Sequence, residues 1–315
     1  MSAQPLFPSV GVPTFLRAPL CTDLGELDAA IAVLGVPTDE GSPFLPGSRF
    51  APRSVREHSM RLCAGRTGYY DADLRRTFLD REMRDGRIVD VGDAVILPTN
   101  VADTFTNITT RVREIVETGA ILVAIGGDHA ISWPLVAGFD GAPVHVIQFD
   151  SHLDFEPFAH GLEFTNGHAF RHISDSPRVT SLSQVGIRGI RNGKEPMDES
   201  IAAGNRVVLM EEFRQGGFDD ALASIPAGER CYVSIDVDVL DMSLIPGCVS
   251  AEPNGMSYAE LRDALGWVAE RLDVVGFDFV EVNPLLDVAT GVTSYLGAHT
   301  IVEFLGRICA RGENG

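Results

Sequence analysis

The chain has 315 residues and a hydrophobic fraction of 45%, which is enough to build the core of an α/β domain of this size. It carries 25 Lys and Arg residues against 44 Asp and Glu residues, so its formal net charge is −19. An acidic chain of this kind repels nucleic acids and anionic membranes, and it favours metal ions or small cationic molecules as partners. A solvated acidic surface explains the same charge, so the partner has to be inferred from motifs.

The cysteines and the N-terminus indicate a cytoplasmic protein. The five cysteines are widely separated and form no Cys-x-x-Cys pair, which argues against a disulfide framework or a cysteine-based zinc site and indicates a reducing compartment. The first residues lack the basic start and long apolar core of a signal peptide, and no run approaches the ~18 apolar residues needed to span a bilayer. We therefore expect a soluble protein of the cytoplasm.

The N-terminal part of the chain predicts an arm, a strand and a helix. Four prolines interrupt residues 1–28, which predicts an irregular N-terminal arm. Residues 29–36 form a continuous apolar run, typical of a strand that is buried on both faces. A loop rich in Gly and Pro follows, and Pro52 then predicts the start of a helix over residues 53–62. The stretch 64–86 is polar.

Strands and helices alternate along the rest of the chain. Apolar runs predict strands at residues 88–91, 121–125, 144–149, 182–187, 206–210, 231–235 and 274–280, and helical spacing predicts helices at residues 101–118, 130–137, 218–224, 258–271 and 294–311. This alternation, with near-continuous apolar strands, predicts a mainly parallel, doubly wound sheet between two layers of helices. No linker or repeat divides the chain, so we expect a single three-layer αβα domain spanning residues 1–315.

Three of the predicted strands end in residues that commonly bind metal ions. For any one such residue, a helix cap or a buried hydrogen-bonded group is the more common explanation. That explanation does not cover all of these residues together, because several aspartates at one edge of a sheet repel each other unless cations or protons compensate their charge. Within each segment the i,i+2 spacing points the side chains to one face. The candidate ligands are His129, Asp150, His152, Asp154, Asp236 and Asp238.

The composition of this ligand set indicates the metal. Carboxylate oxygens with a few imidazole nitrogens suit Mn²⁺, with Ni²⁺ or Fe²⁺ as alternatives, and suit zinc less well. Four carboxylates nearly balance the charge of two divalent ions. Two such ions ~3.5–4 Å apart hold a shared water as hydroxide at neutral pH, ready to attack an electrophilic carbon. We expect two divalent ions, Mn²⁺ first and Ni²⁺ second.

The motifs resemble those of the ureohydrolase family, which contains arginases, agmatinases and related amidinohydrolases. Four blocks resemble the family's in order and spacing, and residues 35–52 resemble its N-terminal signature. The Pro-rich opening after Gly11 looks most like bacterial agmatinases. The resemblance implies an arginase-like fold. The four blocks are Gly126-Gly-Asp-His129, Asp150-Ser-His-Leu-Asp154, Ser234-Ile-Asp-Val-Asp238 and Val280-Glu281-Val-Asn-Pro284.

The resemblance also implies roles for these residues. One metal would be bound by His129, Asp150, Asp154 and Asp236, and the other by Asp150, His152, Asp236 and Asp238. Glu281 would accept hydrogen bonds from the guanidinium of the substrate, which matches a carboxylate in shape and charge. A hydroxide bridging the metals would attack the guanidino carbon and give urea and an amine. Glu281, His168 and Asp154 form the predicted catalytic set.

The chain departs from its relatives beside the predicted site. Asn166 stands where many relatives carry a proton-shuttling histidine, so His168 is the candidate for that role, with His160 or water as alternatives. Asn166, His168 and Glu281 are the predicted substrate contacts. The segment Pro246–Pro253 replaces a polar Thr-Gly-Thr-Pro loop, which leaves the substrate open.

Agmatine, cleaved to putrescine and urea, is the substrate we expect. Guanidinobutyrate, guanidine, an alkylguanidine or a biguanide such as metformin are the alternatives. A different class is a non-catalytic homologue in a mixed oligomer, whose mark would be a lost metal ligand. A third class, histone-deacetylase-like hydrolysis at one zinc, needs no second Asp-x-Asp set. The resemblance suggests a homo-oligomer, a trimer or a hexamer.

Overall fold

The computed structural model describes residues 7–63 and 67–312. Its strands are β1 (Ile31–Val36), β2 (Tyr69–Asp71), β3 (Arg76–Phe78), β4 (Ile88–Asp93), β5 (Ile121–Gly126), β6 (Val144–Phe149), β7 (Val179–Ile187), β8 (Arg206–Leu209), β9 (Arg230–Asp236) and β10 (Asp273–Val280). Its helices are α1 (Ala51–Cys63), α2 (Asp80–Arg84), α3 (Val101–Glu117), α4 (Ser132–Ala137), α5 (Ala169–Ser174), α6 (Lys194–Ala202), α7 (Met210–Leu222), α8 (Tyr258–Arg271) and α9 (Val292–Gly312). The predicted span of 1–315 also includes 1–6, 64–66 and 313–315, which lie outside the described residues.

Eight of these strands form one sheet in the order β4-β1-β5-β10-β9-β6-β7-β8. Every neighbouring pair in this sheet is parallel. The prediction of a single α/β domain with a mainly parallel sheet is confirmed. Each predicted strand is present, because an apolar run that is long enough to be buried on both faces is a strong signal.

The helices cover both faces of the sheet. Alternate residues of β1 belong to different apolar clusters: Ile31 and Val33 face one side, and Ala32 and Leu34 face the other. The first cluster contains residues of α1, α7, α8 and α9, and the second contains residues of α3, α4 and α5. The sheet is therefore the middle of three layers. The helices cover its faces and leave the carboxyl ends of the strands available for a ligand-binding site.

Several short elements were not predicted. The antiparallel hairpin β2–β3 lies in the polar stretch, where strands of three residues show no readable period. The helices α2, α5 and α6 are also short and carry few apolar residues. The helix predicted at 218–224 begins earlier, at Met210, and Gly217 interrupts it with a φ of 69°. Gly216 and Gly217 disfavour a helix, so the sequence predicted only the part of the helix that follows them.

The described part of the N-terminal arm, residues 7–28, is irregular apart from short 3-10 turns at Phe15–Arg17 and Leu24–Glu26. Phe15 is fully buried, and its backbone N–H donates to Asp90 Oδ2 at 2.8 Å. The arm is therefore held against the edge of the sheet beside β4. Residues 1–6 of the predicted arm lie outside the described residues. Within residues 7–63 and 67–312, no helix combines the length and the apolarity that crossing a membrane requires.

Candidate metal centre

The predicted ligands follow or end three strands in the middle of the sheet, and Glu281 follows a fourth strand that lies among them. In the order β5, β10, β9 and β6, these strands are followed or ended by His129, Glu281, Asp236 and Asp150. Parallel strands deliver their carboxyl ends to one edge, so residues far apart in sequence meet there. The structure thus brings together side chains that the sequence placed on separate strands.

One group of ligands surrounds the ring of His129. Its Nδ1 atom lies 3.0 Å from Asp150 Oδ2, 3.0 Å from Asp154 Oδ2 and 3.2 Å from Asp236 Oδ2. Yet this buried nitrogen makes no hydrogen bond of acceptable geometry. One ring nitrogen cannot serve three acceptors at once, whereas one cation can bind all four atoms. This group fits a divalent metal.

A second group lies on the other side of Asp150. His152 Nδ1 is 3.0 Å from Asp238 Oδ2 and 3.7 Å from Asp150 Oδ1. One oxygen of Asp150 therefore faces each group. The i,i+2 arrangement is held locally, because the backbone N–H of His152 donates to Asp150 Oδ1 at 2.6 Å and that of Asp238 donates to Asp236 Oδ1 at 2.8 Å. Asp150 is placed to bridge two ions.

The electrostatics of the two groups also fit bound cations. Burial, followed by the charges of Asp238 and Asp154, raises the pKa of Asp150 to about 7. Burial, followed by the charges of Asp238 and Asp150, raises the pKa of Asp236 well above its usual value. These carboxylates disfavour each other's ionised forms, and divalent ions between them would remove that repulsion.

A buried network that the sequence did not reveal orients His129. The Nε2 atom of His129 lies 2.8 Å from Ser234 Oγ, and the Ser234 hydroxyl donates to Asp278 Oδ1 at 2.7 Å. Tyr232 donates its hydroxyl to the other oxygen of Asp278, also at 2.7 Å. With Nε2–H donating to Ser234, Nδ1 is left with its lone pair toward the metal position. The only sign of this network in the sequence is Asp278 itself, a carboxylate within the apolar run of β10.

Glu281 lies directly after β10 in a left-handed backbone conformation, with a φ of 65°. Its side chain is buried, and Oε1 accepts hydrogen bonds from the backbone N–H of His129 at 2.9 Å and from Asn166 Nδ2 at 3.3 Å. Burial raises the pKa of Glu281 to about 7. Asp154 shares the unusual backbone, with a φ of 47°. These conformations turn both carboxylates into the same cleft, which Glu281 and Asp154 line.

The structure separates the two loop residues that the sequence proposed as substrate contacts. Asn166 lines the cleft beside Glu281. His168 is buried and is not among the residues that line the cleft, because its Nδ1 lies 2.7 Å from Thr165 Oγ1 and its ring packs beside Phe158. A hydrogen bond to the backbone of Pro157 also holds the ring.

The unusual loop after β9 contributes a hydroxyl and a thiol. Ser250 Oγ donates to Asp238 Oδ2 at 2.9 Å, which supports one side of the second ligand group. The Cys248 thiol lies close to the carboxylates of Asp236 and Asp238. Burial, with these neighbouring charges, raises the pKa of the Cys248 thiol well above its usual value. The departure from the usual loop sequence therefore retains a hydrogen bond to Asp238.

A cleft of about 220 Å³ opens above both ligand groups. Besides the two acidic residues already named, its lining includes Asn166, Glu156 and Arg191. The volume suits a small molecule of a few heavy atoms, and the wall is mostly polar. The strand ends thus combine a place for cations with an opening for a small polar substrate.

Comparisons with known proteins define the class. Guanidinopropionase from Pseudomonas aeruginosa is 33% identical to the chain over 309 residues, which cover 94% of this chain and 91% of that protein. The mitochondrial agmatinase of Gallus gallus is 30% identical over 311 residues, covering 96% and 88%. The solved structure of proclavaminate amidinohydrolase from Streptomyces clavuligerus matches with a TM-score of 0.85 and 28% identity, over 97% of this chain and 100% of that one. The chain has the fold of an α/β amidinohydrolase.

A model of the arginase family matches residues 29–306, and the chain belongs to that family. It is a hydrolase of C–N bonds in linear amidines that acts on guanidino compounds. The family uses a binuclear divalent metal centre, typically with Mn²⁺, and the described residues include candidate donors for it. The resemblance read from the sequence motifs is confirmed.

Proposed function

We propose that the chain hydrolyses the terminal guanidino group of a small molecule to urea and an amine. The observation that supports this most is the position of Glu281. Its carboxylate lies at the floor of the cleft, between His129 of the ligand set and Asn166. A carboxylate at this point matches the planar N–H donors and the positive charge of a guanidinium, and would hold it beside the ligand groups.

The two ligand groups would hold the metals in the sets that the sequence predicted. His129, Asp150, Asp154 and Asp236 would bind one ion, and Asp150, His152, Asp236 and Asp238 the other. Bound divalent ions supply a nucleophilic hydroxide at neutral pH. Mn²⁺ is the proposed metal and Ni²⁺ the alternative, because the donor set is mostly oxygen with some imidazole.

The chain's own residues position the substrate and move its protons. Glu281 and Asn166 fix the guanidinium, so that its carbon faces the nucleophile. When the bond from that carbon to the alkyl-bearing nitrogen breaks, the leaving amine takes up a proton. The carboxylate of Asp154 lies in the cleft and is the proposed carrier of that proton, from the attacking water to the amine.

The tail of the substrate is the open part of this proposal. Agmatine is the substrate expected from the sequence, and Glu156 in the cleft could accept a hydrogen bond from its distal ammonium. Guanidinobutyrate, guanidine, alkylguanidines and biguanides are the alternatives. A non-catalytic subunit of a mixed oligomer is disfavoured, because the described residues retain all six predicted ligands and Glu281. Assembly as a trimer or hexamer and location in the cytoplasm remain predictions.

Urea release over a panel of guanidino compounds, with elemental analysis of the purified protein, tests the proposal. We expect about two divalent ions per chain and urea from at least one member of the panel. The panel contains agmatine, 4-guanidinobutyrate, guanidine, butylguanidine and metformin. Hydrolysis of metformin at the carbon that bears its dimethylamino group gives guanylurea and dimethylamine instead of urea, so guanylurea is measured as well for that compound. Two bound ions with neither urea nor guanylurea from any compound would rule out the amidinohydrolase function.

The variant His168→Ala tests the proton-shuttle role predicted for His168. The contacts of the ring favour a structural outcome: the free energy of unfolding should fall by about 1–3 kcal/mol, because the Thr165 hydroxyl loses its buried partner. The pH profile of kcat should not change. His172→Ala, which removes a nearby imidazole stacked on Trp133, is the matched control. A profile that loses one limb in His168→Ala alone, at unchanged metal content, would support the shuttle role.

A further inference from the structure

Arg191 lines the mouth of the cleft that contains Glu281 and the metal ligands. Among the described residues that line this cleft, it is the only Arg or Lys. The other charged lining residues include Asp154, Glu156 and Asp236. A single permanent cation in an otherwise acidic cleft is a feature that binding a guanidinium does not explain, because its charge repels one.

The residue after Arg191 is hydrogen-bonded to the ligand segment. The neighbouring Asn192 donates from Nδ2 to the backbone carbonyl of Ser151 at 2.9 Å and accepts at Oδ1 from the backbone N–H of Leu153 at 3.0 Å. Ser151 and Leu153 alternate with the metal ligands of the same segment. The position of Arg191 relative to the ligand groups is therefore set by direct hydrogen bonds.

The guanidinium of Arg191 is free to bind a ligand, unlike that of its neighbour Arg188. Arg188 is buried, and its guanidinium donates to five backbone carbonyls, including those of Asp238 and Leu240. Arg191 is exposed and makes one long contact, from Nη1 to the carbonyl of Ser250 at 3.5 Å. Within the described chain it forms no ion pair with a carboxylate. Arg188 is structural, whereas Arg191 has unused donors.

The same contact places Arg191 within a short distance of the reaction centre. Ser250 bonds Arg191 through its carbonyl and Asp238 through its hydroxyl. One residue and two hydrogen bonds therefore separate the guanidinium from a metal ligand. Glu281 and Arg191 both line this cleft, so a substrate held at one end by Glu281 can direct its other end toward Arg191.

We propose that Arg191 selects guanidino acids, compounds whose chain ends in a carboxylate, by a charge-assisted hydrogen bond to that carboxylate. This inference rests on the proposed function of the same cleft. A guanidino acid places its cation on Glu281 and its anion on Arg191, two oppositely charged residues of one cleft. Agmatine would place its distal ammonium beside a fixed positive charge, so Arg191 acts against it.

The test compares three substrates of similar length that differ at the tail: 4-guanidinobutyrate, agmatine and butylguanidine. The wild-type chain should have the highest kcat/KM for 4-guanidinobutyrate. Arg191→Gln should lower that value by about 10–100-fold, mainly through KM, and leave butylguanidine within about twofold. Arg191→Lys should retain more of the kcat/KM for 4-guanidinobutyrate than Arg191→Gln does, because lysine keeps the positive charge but lacks the paired N–H donors of the guanidinium. Arg81→Gln, at an exposed arginine of α2, is the control and should change none of the values.

Two results would overturn this inference: a wild-type preference for agmatine over 4-guanidinobutyrate, or an equal loss for all three substrates in Arg191→Gln. Calorimetric binding of the same three compounds to the metal-loaded chain separates the inference from the proposed function. Tight binding of 4-guanidinobutyrate that weakens in Arg191→Gln, without urea release, would retain the carboxylate site and rule out the hydrolase. Urea release with no preference among the three tails would support the hydrolase and rule out the carboxylate site at Arg191.

Discussion

Asp150→Asn is expected to abolish urea release and metal binding together. One oxygen of Asp150 faces His129 Nδ1 at 3.0 Å, and the other lies 3.7 Å from His152 Nδ1. An amide of the same size keeps the packing, but it removes the negative charge and replaces one of the two oxygens, each of which faces one ligand group, with nitrogen. We expect kcat/KM to fall by about 10³-fold or more, with fewer than two metals per chain by elemental analysis.

Asp241→Asn provides the control for this variant. Asp241 lies a few residues after the ligand Asp238, and its carboxylate accepts hydrogen bonds from the backbone N–H groups of Ser243 and Gly255. An asparagine keeps one of these two acceptor oxygens and replaces the other with an NH2 donor, so the loop loses one hydrogen bond while the ligand groups are unchanged. Activity and metal content should therefore stay at wild-type levels. Should Asp150→Asn retain both metals and wild-type activity, the bridging role of Asp150 would be wrong.

Glu281→Gln should have nearly as large an effect on activity but a different signature. The Glu281 side chain belongs to neither ligand group and contacts His129 at its backbone N–H, not at its ring, so metal content should stay at about two ions per chain. Loss of the charged partner of a desolvated guanidinium costs about 2–5 kcal/mol, which lowers kcat/KM by about 30-fold to several thousand-fold. Steady-state kinetics with the best substrate of the panel measures this change.

The matched control for Glu281 is Glu252→Gln. Glu252 is also a buried glutamate near the site, with Oε1 3.7 Å from His152 Nε2, but it does not line the cleft. Its replacement should affect the metal more than the substrate. Equal kinetic losses in both variants, or a loss of metal in Glu281→Gln, would contradict the role of Glu281 as the guanidinium acceptor.

The sequence predicted the ligand set because the relevant rules are local. A buried strand of six residues, four of them apolar, followed by Asp-x-His-x-Asp is readable without knowing the fold, and parallel strands must bring such ends to one edge. The eight strands of the sheet followed from the same argument. The short hairpin β2–β3 and the helix from Met210 did not, because their stability comes from tertiary packing rather than from a periodic pattern.

Side-chain direction and long-range pairing could not be read in this way. Asn166 and His168 are two residues apart, and no local pattern predicts that Asn166 faces the cleft while His168 packs against Thr165 and Phe158. Asp278 is a carboxylate within an apolar strand, and its role in orienting His129 depends on the long-range contact through Ser234. Likewise, Arg188 and Arg191 belong to one short segment, and only the contacts of each guanidinium distinguish a structural residue from a ligand-binding one.

The left-handed backbone at Glu281 and Asp154 has a consequence for engineering this enzyme. An L-residue in this conformation lowers the stability of the folded protein by about 1–3 kcal/mol relative to an unstrained backbone, whereas glycine adopts it freely. At each position the residue that favours thermostability differs from the residue that favours turnover. A selection for heat resistance alone would favour glycine at residues 154 and 281 and would yield a stable but inactive protein. Stabilising substitutions for a biocatalyst should be sought in the helical layers, away from the ends of β6 and β10.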